Sequence, residues 1–333
     1  MISPPAHSMK NRVHIIFLAV FGVVVIHAKV IHADSVRVIY GAISAANSPI
    51  WVAQEKGLFK KHGLEAEVSH VTTTQAIQAL LAGDIQFTTA SGQIVYSGLA
   101  GGNGVYIAGL TNRFVFYVYG KSGLQTAADL RGKTIASTQP EDPTTISVRM
   151  ALKKERLDPD KDVKFTYMRE VPAILGALRQ GVVDAAVLSP PISLQARELG
   201  FKLVIDIAAL KVPFVHTGIA AQRSYMKTNP QVARNFMKAL VEALKISREQ
   251  PSDTQAIIAK YTNISDPKLL EEAYKSFQPT WEKVPYVSRE AVQSVLDVAN
   301  NPKARTAKPD EFIDDSILRE LDASGFVETL YRK

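Results

Sequence analysis

The sequence predicts an α/β protein built from two similar lobes that face each other across a cleft. Short β-rich runs alternate with helical segments from Val36 onward, which is typical of parallel sheets covered by helices on both faces. The sequence pattern of residues 79–83 is repeated at 177–181. Each copy is followed by a short predicted strand and then by a serine, Ser91 or Ser189. The 333 residues are enough for two hydrophobic cores.

The first lobe is expected to open with a strand at 36–40 and a polar loop at 44–49. Ser48 fits a helix N-cap and Pro49 a first-turn proline. The elements that follow are predicted as helices at 50–56, 74–81 and 93–100 and strands at 64–70, 85–89 and 105–110.

The second lobe repeats this order, and the remainder of the chain is helical. Its predicted elements are strands at 134–137, 164–167 and 185–188 and helices at 144–156 and 171–179. Five further helices are predicted at 230–248, 252–261, 267–277, 288–300 and 310–324. They would cover the first lobe, with a C-terminal extension that supports it.

The N-terminus has the order of a cleaved export signal. Lys10 and Arg12 precede an apolar run, 13–26, that is shorter than the roughly 20 residues a transmembrane helix needs. Cleavage is expected after Ala33, with Ala28 as the alternative, and the start is Met1 or Met9. A membrane anchor or a buried N-terminal helix is the competing interpretation. Export predicts a periplasmic protein.

Composition excludes several classes of function. The chain has no cysteine, so disulfides, thiolate metal sites, a cysteine nucleophile and a lipid-modified cysteine are impossible. Its net charge is +7, and removing residues 1–33, with three basic and no acidic residues, leaves +4. These charges are scattered, so nucleic-acid binding is not expected. Metalloprotease, phosphate-loop and nucleophile-elbow motifs are lacking.

Several segments, in this order, carry a family resemblance. They are the loop 44–49, WVAQEKGLFKKHGLEAEV at 51–68, ALLAGDIQFTTASG at 79–92, DLRGKTIAS at 129–137 and ALRQGVVDAAVLSPP at 177–191. The chain thereby resembles periplasmic solute-binding proteins of ABC importers for aliphatic sulfonates, taurine, nitrate and thiamine-pyrimidine precursors. The similarity extends over about 36–300.

The resemblance implies a hinged architecture of the type II periplasmic binding protein kind. The signal peptide would be 1–33, lobe one 34–112 with 217–333, and lobe two 113–216, with crossings near 111–113 and 216–218. A solute bound between the lobes would favour closure, and a membrane permease would recognise the closed form. No cofactor, metal or covalent chemistry is implied, and a monomer is expected.

Ligand-binding groups are expected in loops at the carboxyl ends of the strands, with helix capping as the alternative role. The first lobe would contribute Ser44, Asn47, Ser48, Pro49, Ser91 and Gly92. The second lobe would contribute Ser137, Gln139, Asp142, Thr144, Thr145 and Ser189. The crossings would contribute Asn112, Arg113 and His216.

Three of these residues bear on the charge of the solute. Arg113 would pair with a carboxylate or sulfonate, or else be solvated at the hinge. His216 would donate to a ligand oxygen or have a structural role. Asp142 would cap a helix or hold an ammonium group, which disfavours a simple anion such as nitrate. The solute is therefore expected to be a small anionic or zwitterionic organic molecule, such as a sulfonate, a taurine-like compound or a carboxylate.

Two other functions compete with solute transport. Thiamine-pyrimidine synthases share the fold but use pyridoxal phosphate and a cysteine-rich iron-binding stretch, which a chain without cysteine lacks. A ligand sensor would act through a separate receptor, since no signalling segment follows the binding unit. Aromatic candidates for the cleft wall are Trp51, Phe87, Tyr96 and Phe114, and a change in Trp51 fluorescence is expected on binding.

Overall fold

The computed structural model describes residues 1–3, 33–168 and 170–332. The predicted signal peptide falls almost wholly outside these residues. Within the described parts of the chain, no helix is long and apolar enough to cross a membrane.

Ten strands form two five-stranded sheets with the same connectivity. The strands are β1 Asp34–Tyr40, β2 Leu64–His70, β3 Phe87–Ala90, β4 Gly104–Arg113, β5 Tyr117–Gly120, β6 Thr134–Ser137, β7 Lys164–Tyr167, β8 Ala185–Leu188, β9 Lys202–Asp206 and β10 Pro213–Gln222. The first sheet has the order β2-β1-β3-β10-β4 and the second β7-β6-β8-β5-β9.

The sheets are mixed, whereas the sequence predicted parallel ones. β1 pairs with β2 and β3 in parallel, as β6 does with β7 and β8. β10 is antiparallel to both of its neighbours, and β5 takes the same place in the second sheet. The alternation of strands and helices does not reveal these two insertions, because each of them pairs with strands distant along the chain.

Fourteen α-helices are described. They are α1 Ser48–Glu55, α2 Leu58–Lys61, α3 Thr73–Ala82, α4 Gln93–Leu99, α5 Pro143–Lys154, α6 Val171–Arg179, α7 Ile192–Glu198, α8 Arg223–Thr228, α9 Pro230–Glu249, α10 Pro251–Thr262, α11 Pro267–Phe277, α12 Arg289–Val298, α13 Ser316–Ala323 and α14 Phe326–Tyr331. The helices α5, α6 and α7 pack on the second sheet, and α3, α4, α8, α9 and α12 on the first. Each sheet with its helices is called a lobe below.

Local sequence accounts for the helix starts. Proline lies in the first turn of α1, α5, α6, α9, α10 and α11, where its missing N–H costs no hydrogen bond. Asp266 caps α11 by accepting from the backbone nitrogens of Lys268 and Leu269 at 2.8 and 3.2 Å. The apolar face of α9 is buried, and its Phe236 stacks on Phe87 of β3 at 3.8 Å between ring centroids.

The predicted cap of the first helix, Ser48, is wrong by one residue, because Asn47 occupies the N-cap position of α1 and makes no side-chain cap hydrogen bond. A short 3-10 turn, Ala45–Asn47, precedes α1, and its cap is Ser44, whose Oγ accepts from the nitrogen of Ala46 at 3.4 Å. Ser48 is already inside α1 and donates to the carbonyl oxygen of Ala45 at 2.6 Å.

The chain passes between the sheets at two places. It leaves the first sheet after β4 and enters the second at β5, and it returns between β9 and β10. The crossings predicted near 111–113 and 216–218 fall on residues that lie inside strands, at the end of β4 and within β10. The register of β10 shifts around Thr217, which marks a bulge in the strand at this point. The residues at which the lobes hinge stay a prediction.

Candidate functional site

A cleft lies between the lobes, at the ends of strands from both sheets. Its wall is formed by the loop after β1, the end of β3, the loops after β6, β7 and β8, and the bulge of β10. The cavity volume of the cleft is about 90 Å³, and the surrounding empty space, which includes a part open to solvent, is about 730 Å³.

The structure brings seven of the predicted ligand residues to this cleft. They are Ser44, Asn47, Ser91, Asp142, Thr144, Ser189 and His216. Gln139 is exposed and lines an adjoining outer chamber, which shares Asp142 and Thr73 with the cleft.

Several further cleft residues, six of them with polar or aromatic side chains, were missed by the sequence analysis. These six are Thr73, Thr89, Phe116, Thr138, Glu170 and Thr217. Thr138 and Glu170 follow strands β6 and β7, so the rule that selected the other loop residues also applies to them. Phe116 was not accessible to that rule, because it lies in the crossing between sheets.

Three residues predicted near helix starts do not line the cleft. The hydroxyl of Ser48 is fully buried against the carbonyl of Ala45. Pro49 is buried in the first turn of α1. Gly92 packs under Tyr96, whose hydroxyl oxygen would lie 3.1 Å from a Cβ at this position, so it serves close packing.

Two buried hydroxyls of the second lobe stabilise the loop instead of facing a solute. Thr145 donates to the Oγ of Ser137 at 2.8 Å and lies 3.2 Å from the carbonyl oxygen of Thr138. Both predicted residues therefore lie behind the cleft wall, where they fix the connection from β6 to α5.

The predicted residues of the first crossing also lie elsewhere. Asn112 donates to the carbonyl oxygen of Tyr286 at 3.0 Å and accepts from the nitrogen of Ser288 at 3.2 Å, so it anchors the C-terminal segment. Arg113 is half-buried and near Tyr117, whose pKa is raised by burial while the charge of the arginine acts against that rise. Tyr117 lines a different groove, with Arg197 and Lys202, and Arg113 is not among the described residues that line the cleft.

Of the aromatic candidates, none lines the cleft. Trp51 is fully buried and stacks on Tyr261, with 4.7 Å between ring centroids. Phe87 and Phe114 stack on Phe236 and Phe214. A change in Trp51 fluorescence on binding would therefore require the solute to alter the turn that precedes α1.

The first lobe contributes neutral polar groups to the cleft. Asn47 donates from Nδ2 to the carbonyl oxygen of Ala42 at 2.7 Å, while its buried Oδ1 has no partner among the described residues. The Oγ1 of Thr89 accepts from the nitrogen of Gly41 at 3.0 Å. Ser91 uses its hydroxyl to donate to the carbonyl of Val215.

The second lobe contributes two carboxylates, Asp142 and Glu170. They occupy the N-cap positions of α5 and α6, but neither makes a side-chain cap hydrogen bond. Asp142 accepts from Nε2 of Gln93 at 2.8 Å and from the nitrogen of Gln139 at 3.2 Å. Burial raises the pKa of Asp142 despite these bonds.

His216 is a neutral residue in the cleft wall. Its ring stacks on Phe116 with 4.5 Å between centroids, and its Nδ1 accepts from the nitrogen of Val115 at 3.2 Å. Burial lowers its pKa to about 3, so the ring is uncharged at neutral pH. Because Nδ1 accepts, Nε2 carries the proton. The structural role that was its alternative is thus observed, with one N–H left as a donor.

The lobes touch each other at the cleft. The hydroxyl of Ser189 lies 3.5 Å from that of Ser44, and Gln93 of the first lobe donates to Asp142 of the second. Gln93 also accepts from the nitrogen of Ser91 at 3.1 Å, so one amide joins both lobes. This is a closed arrangement. Among the described residues, no group of three or more histidine and carboxylate side chains is placed to hold a metal ion.

The family follows from comparison with known proteins. The model of the NMT1/THI5 like family matches residues 45–254, which is more than half of the chain. The chain belongs to this family. The resemblance noted in the sequence is thereby confirmed.

Relatives of this family member are named as binding proteins. One from Brucella abortus is 26% identical over 292 residues, covering 85% of this chain and 88% of its own. Another, from Brachyspira hyodysenteriae, is named as an ABC transporter periplasmic binding protein. It is 29% identical over 174 residues, covering 51% of this chain and 47% of its own.

Solved structures confirm the predicted two-lobe fold. The alkanesulfonate-binding protein SsuA of Xanthomonas axonopodis, bound to MOPS, matches with a TM-score of 0.68 and 19% identity over 86% of this chain and 96% of its own. The periplasmic nitrate-binding protein NrtA of Synechocystis matches with a TM-score of 0.69 and 13% identity over 90% and 91%. At these identities, the likeness concerns the fold.

Proposed function

We propose that this protein captures a small organic solute in the cleft and delivers it to the permease of an ABC importer. The observation that carries the proposal is the meeting of polar groups from both lobes around one cleft. Ser44 and Asn47 come from the first lobe, and Asp142 and Ser189 from the second. A solute that contacts both sides stabilises the closed form over the open one, because only the closed form offers both sets of contacts.

The proposal places the protein in the periplasm, as a monomer without nucleic-acid partners. Its support is the export-like order of residues 1–33, the scattered charge, and relatives named as binding proteins. The solute is proposed to be zwitterionic rather than a simple inorganic anion, since two carboxylates line the cleft.

The proposal contains no covalent step. Hydroxyls that line the cleft donate to other oxygens, Ser91 to a carbonyl and Ser189 to Ser44. The neutral ring of His216 has its Nδ1 occupied by a backbone N–H, so it is not available at that atom to take a proton from a serine. These contacts favour binding over catalysis.

A thermal-shift screen of residues 34–333 tests the proposal. The protein is first partly unfolded and washed to remove carried-over solute. The panel contains taurine, alkanesulfonates, nitrate, bicarbonate, aromatic carboxylates, amino acids and pyrimidines. A solute that binds only the folded state stabilises it by about 2.7 kcal/mol at a hundred times its Kd.

Small-angle scattering then measures closure. We expect the stripped protein to have a larger radius of gyration than the protein with its solute. A saturable thermal shift with no change in radius would contradict the two-lobe capture mechanism, and turnover of a panel compound would contradict the binding role.

A further inference from the structure

We propose that the cleft selects solutes bearing a cationic or strongly hydrogen-bond-donating nitrogen, namely an ammonium, an amidinium or an amino-substituted heterocycle, through Asn47 and Asp142 with Glu170. This inference rests on the proposed function and adds the chemical class of the solute. It distinguishes this cleft from one that is built for an inorganic or sulfonate anion alone.

Asn47 provides a buried acceptor that lacks a donor. The residue is 3% exposed and lines the cleft, and its Oδ1 has no partner among the described residues. The orientation of the amide is fixed, because Nδ2 donates to the carbonyl oxygen of Ala42 at 2.7 Å and a flipped amide would place two acceptors together. Buried polar atoms in proteins generally have partners. An N–H group of the solute would supply the donor that Oδ1 of Asn47 lacks.

Asp142 provides a negative charge whose partners are neutral. Its carboxylate accepts from the amide of Gln93 and the backbone nitrogen of Gln139, and it also has a side-chain hydrogen bond with Thr138. No salt bridge to it is present among the described residues, and its neighbour Glu141 adds a like charge. A buried carboxylate is stabilised by a cation in contact with it. The cleft is where a solute makes that contact.

The remaining wall does not favour a lone anion. Two carboxylates, Asp142 and Glu170, line the cleft, His216 is neutral, and no lysine or arginine is among the described residues of the lining. An anion would therefore meet like charges in a partly desolvated space. Arg169 lies outside the described residues.

The first lobe supplies a place for an acceptor group on the same solute. The Oγ of Ser44 is approached by two donors, the nitrogen of Ala46 and the hydroxyl of Ser189, so its own hydrogen is left to donate. Thr89 likewise accepts from Gly41 through its Oγ1. A molecule with a nitrogen cation at one end and an oxygen acceptor at the other matches both sides, as an amino-sulfonate or an amino acid does.

Matched pairs of solutes test the inference by titration calorimetry on stripped residues 34–333. Benzamidine and benzoate are nearly isosteric and opposite in charge, and taurine and isethionate differ by an amino against a hydroxyl group. We expect the nitrogen-bearing member of at least one pair to bind at least about tenfold more tightly than its mate.

Two variants locate the selection. Asp142→Asn keeps the shape and removes the charge, and Asn47→Leu removes the acceptor. Each variant is expected to bind the nitrogen-bearing solute at least about tenfold more weakly, because one partner of a buried polar pair is lost. Asp84→Asn is the matched control, since Asp84 is exposed and away from the cleft lining. It is expected to leave binding unchanged.

Folding of each variant is checked by its thermal transition without solute. Tighter or equal binding of the benzoate or isethionate member in every pair that binds would overturn the inference while leaving solute capture intact. Equal binding by Asp142→Asn and the wild type would also overturn it. If neither pair binds, the inference fails, and the wider thermal-shift panel decides separately whether the proposed function stands.

Discussion

The two lobes have the same strand connectivity, but they hold their cleft loops in different ways. In the first lobe, aromatic rings lie behind the loop that follows β1: Trp51 is stacked on Tyr261 and meets the edge of Tyr40. In the second lobe, the loop after β6 is held by hydroxyl groups, such as Thr145 bonded to Ser137. The shared topology therefore determines where the loops lie, whereas the side chains that support the loops differ between the lobes.

The charge of the loops differs in the same way. The first lobe presents hydroxyl and amide groups to the cleft, and the second adds Asp142 and Glu170. The two serines that follow the repeated sequence pattern show this difference between the lobes. Ser91 and Ser189 follow equivalent strands and both line the cleft, but Ser91 bonds within its lobe and Ser189 approaches Ser44 across the cleft. Two similar lobes can thus form a site with two different sides.

The largest expected effect comes from removing the aromatic support of the first loop. Trp51→Ala is expected to lower the free energy of unfolding by about 3–5 kcal/mol, because a fully buried ring is replaced by a cavity. Urea unfolding measures it. Trp51→Phe, which keeps an aromatic ring, should lose clearly less. A loss below about 1 kcal/mol for the alanine variant would show that the ring does not support the loop.

The corresponding change in the second lobe should have a smaller effect. Thr145→Val keeps the shape but removes the donor to Ser137, which is expected to lower the free energy of unfolding by about 1–3 kcal/mol. The double variant with Ser137→Ala should lose less than the sum of the single changes, since both remove one bond. Strict additivity would contradict the assigned hydrogen bond.

The contact between the lobes gives the third prediction. Gln93→Ala removes the bond to Asp142 and is expected to destabilise the closed form relative to the open form by about 0.5–1.5 kcal/mol. The free energy of binding of every solute should weaken by up to the same amount. Gln86→Ala is the control, because Gln86 accepts from the nitrogen of Arg37 within one lobe. If both variants lost affinity equally, the bond between the lobes would have no special role.

The smallest effect is on the pH dependence of stability. Burial raises the pKa of Asp142 above its ordinary 3.8. Hydrogen bonds from Thr138, Gln139 and Gln93 act to lower this pKa, and the negative charge of Glu141 acts to raise it. The folded state thus binds more protons than the unfolded state just above pH 3.8, so this group's contribution to stability falls as pH rises through that window.

The Asp142→Asn variant removes that loss, so it is expected to gain stability relative to the wild type as pH rises from acid to neutral, even though it binds solute less well. Thermal unfolding at a series of pH values measures the difference. His216 acts in the opposite direction: its pKa of about 3 means that its contribution is present above its ordinary 6.5 and is lost as pH falls towards 3. An unchanged pH profile in Asp142→Asn would contradict the burial of its charge.

The sequence predicted local elements better than pairing between distant strands. Helices α6 and α11 have the predicted bounds, 171–179 and 267–277, because proline lies in the first turn of each. The antiparallel strands β5 and β10 were not recognised as such, since their partners are set by the return of the chain between the lobes.

The cleft was predictable to the extent that it follows from strand ends. Asn47 and Asp142 were found by that rule, and Glu170 was missed because the loop after β7 was not included. Arg113 was expected in the cleft but is not among the described residues of its lining, and it lies near Tyr117. Which side of a strand end a residue occupies depends on the three-dimensional path of the crossing, and local sequence does not contain it.

The central claim is that a solute binds between the lobes. The most direct measurement is a calorimetric titration of wild-type protein and Ser189→Leu with the panel solute that gives the largest thermal shift. The leucine would fill space beside Ser44, with Ser35→Leu as an exposed control on β1. We predict a loss of affinity of at least about tenfold in Ser189→Leu alone, with its thermal transition without solute preserved. Equal affinity in all three proteins would contradict binding in this cleft.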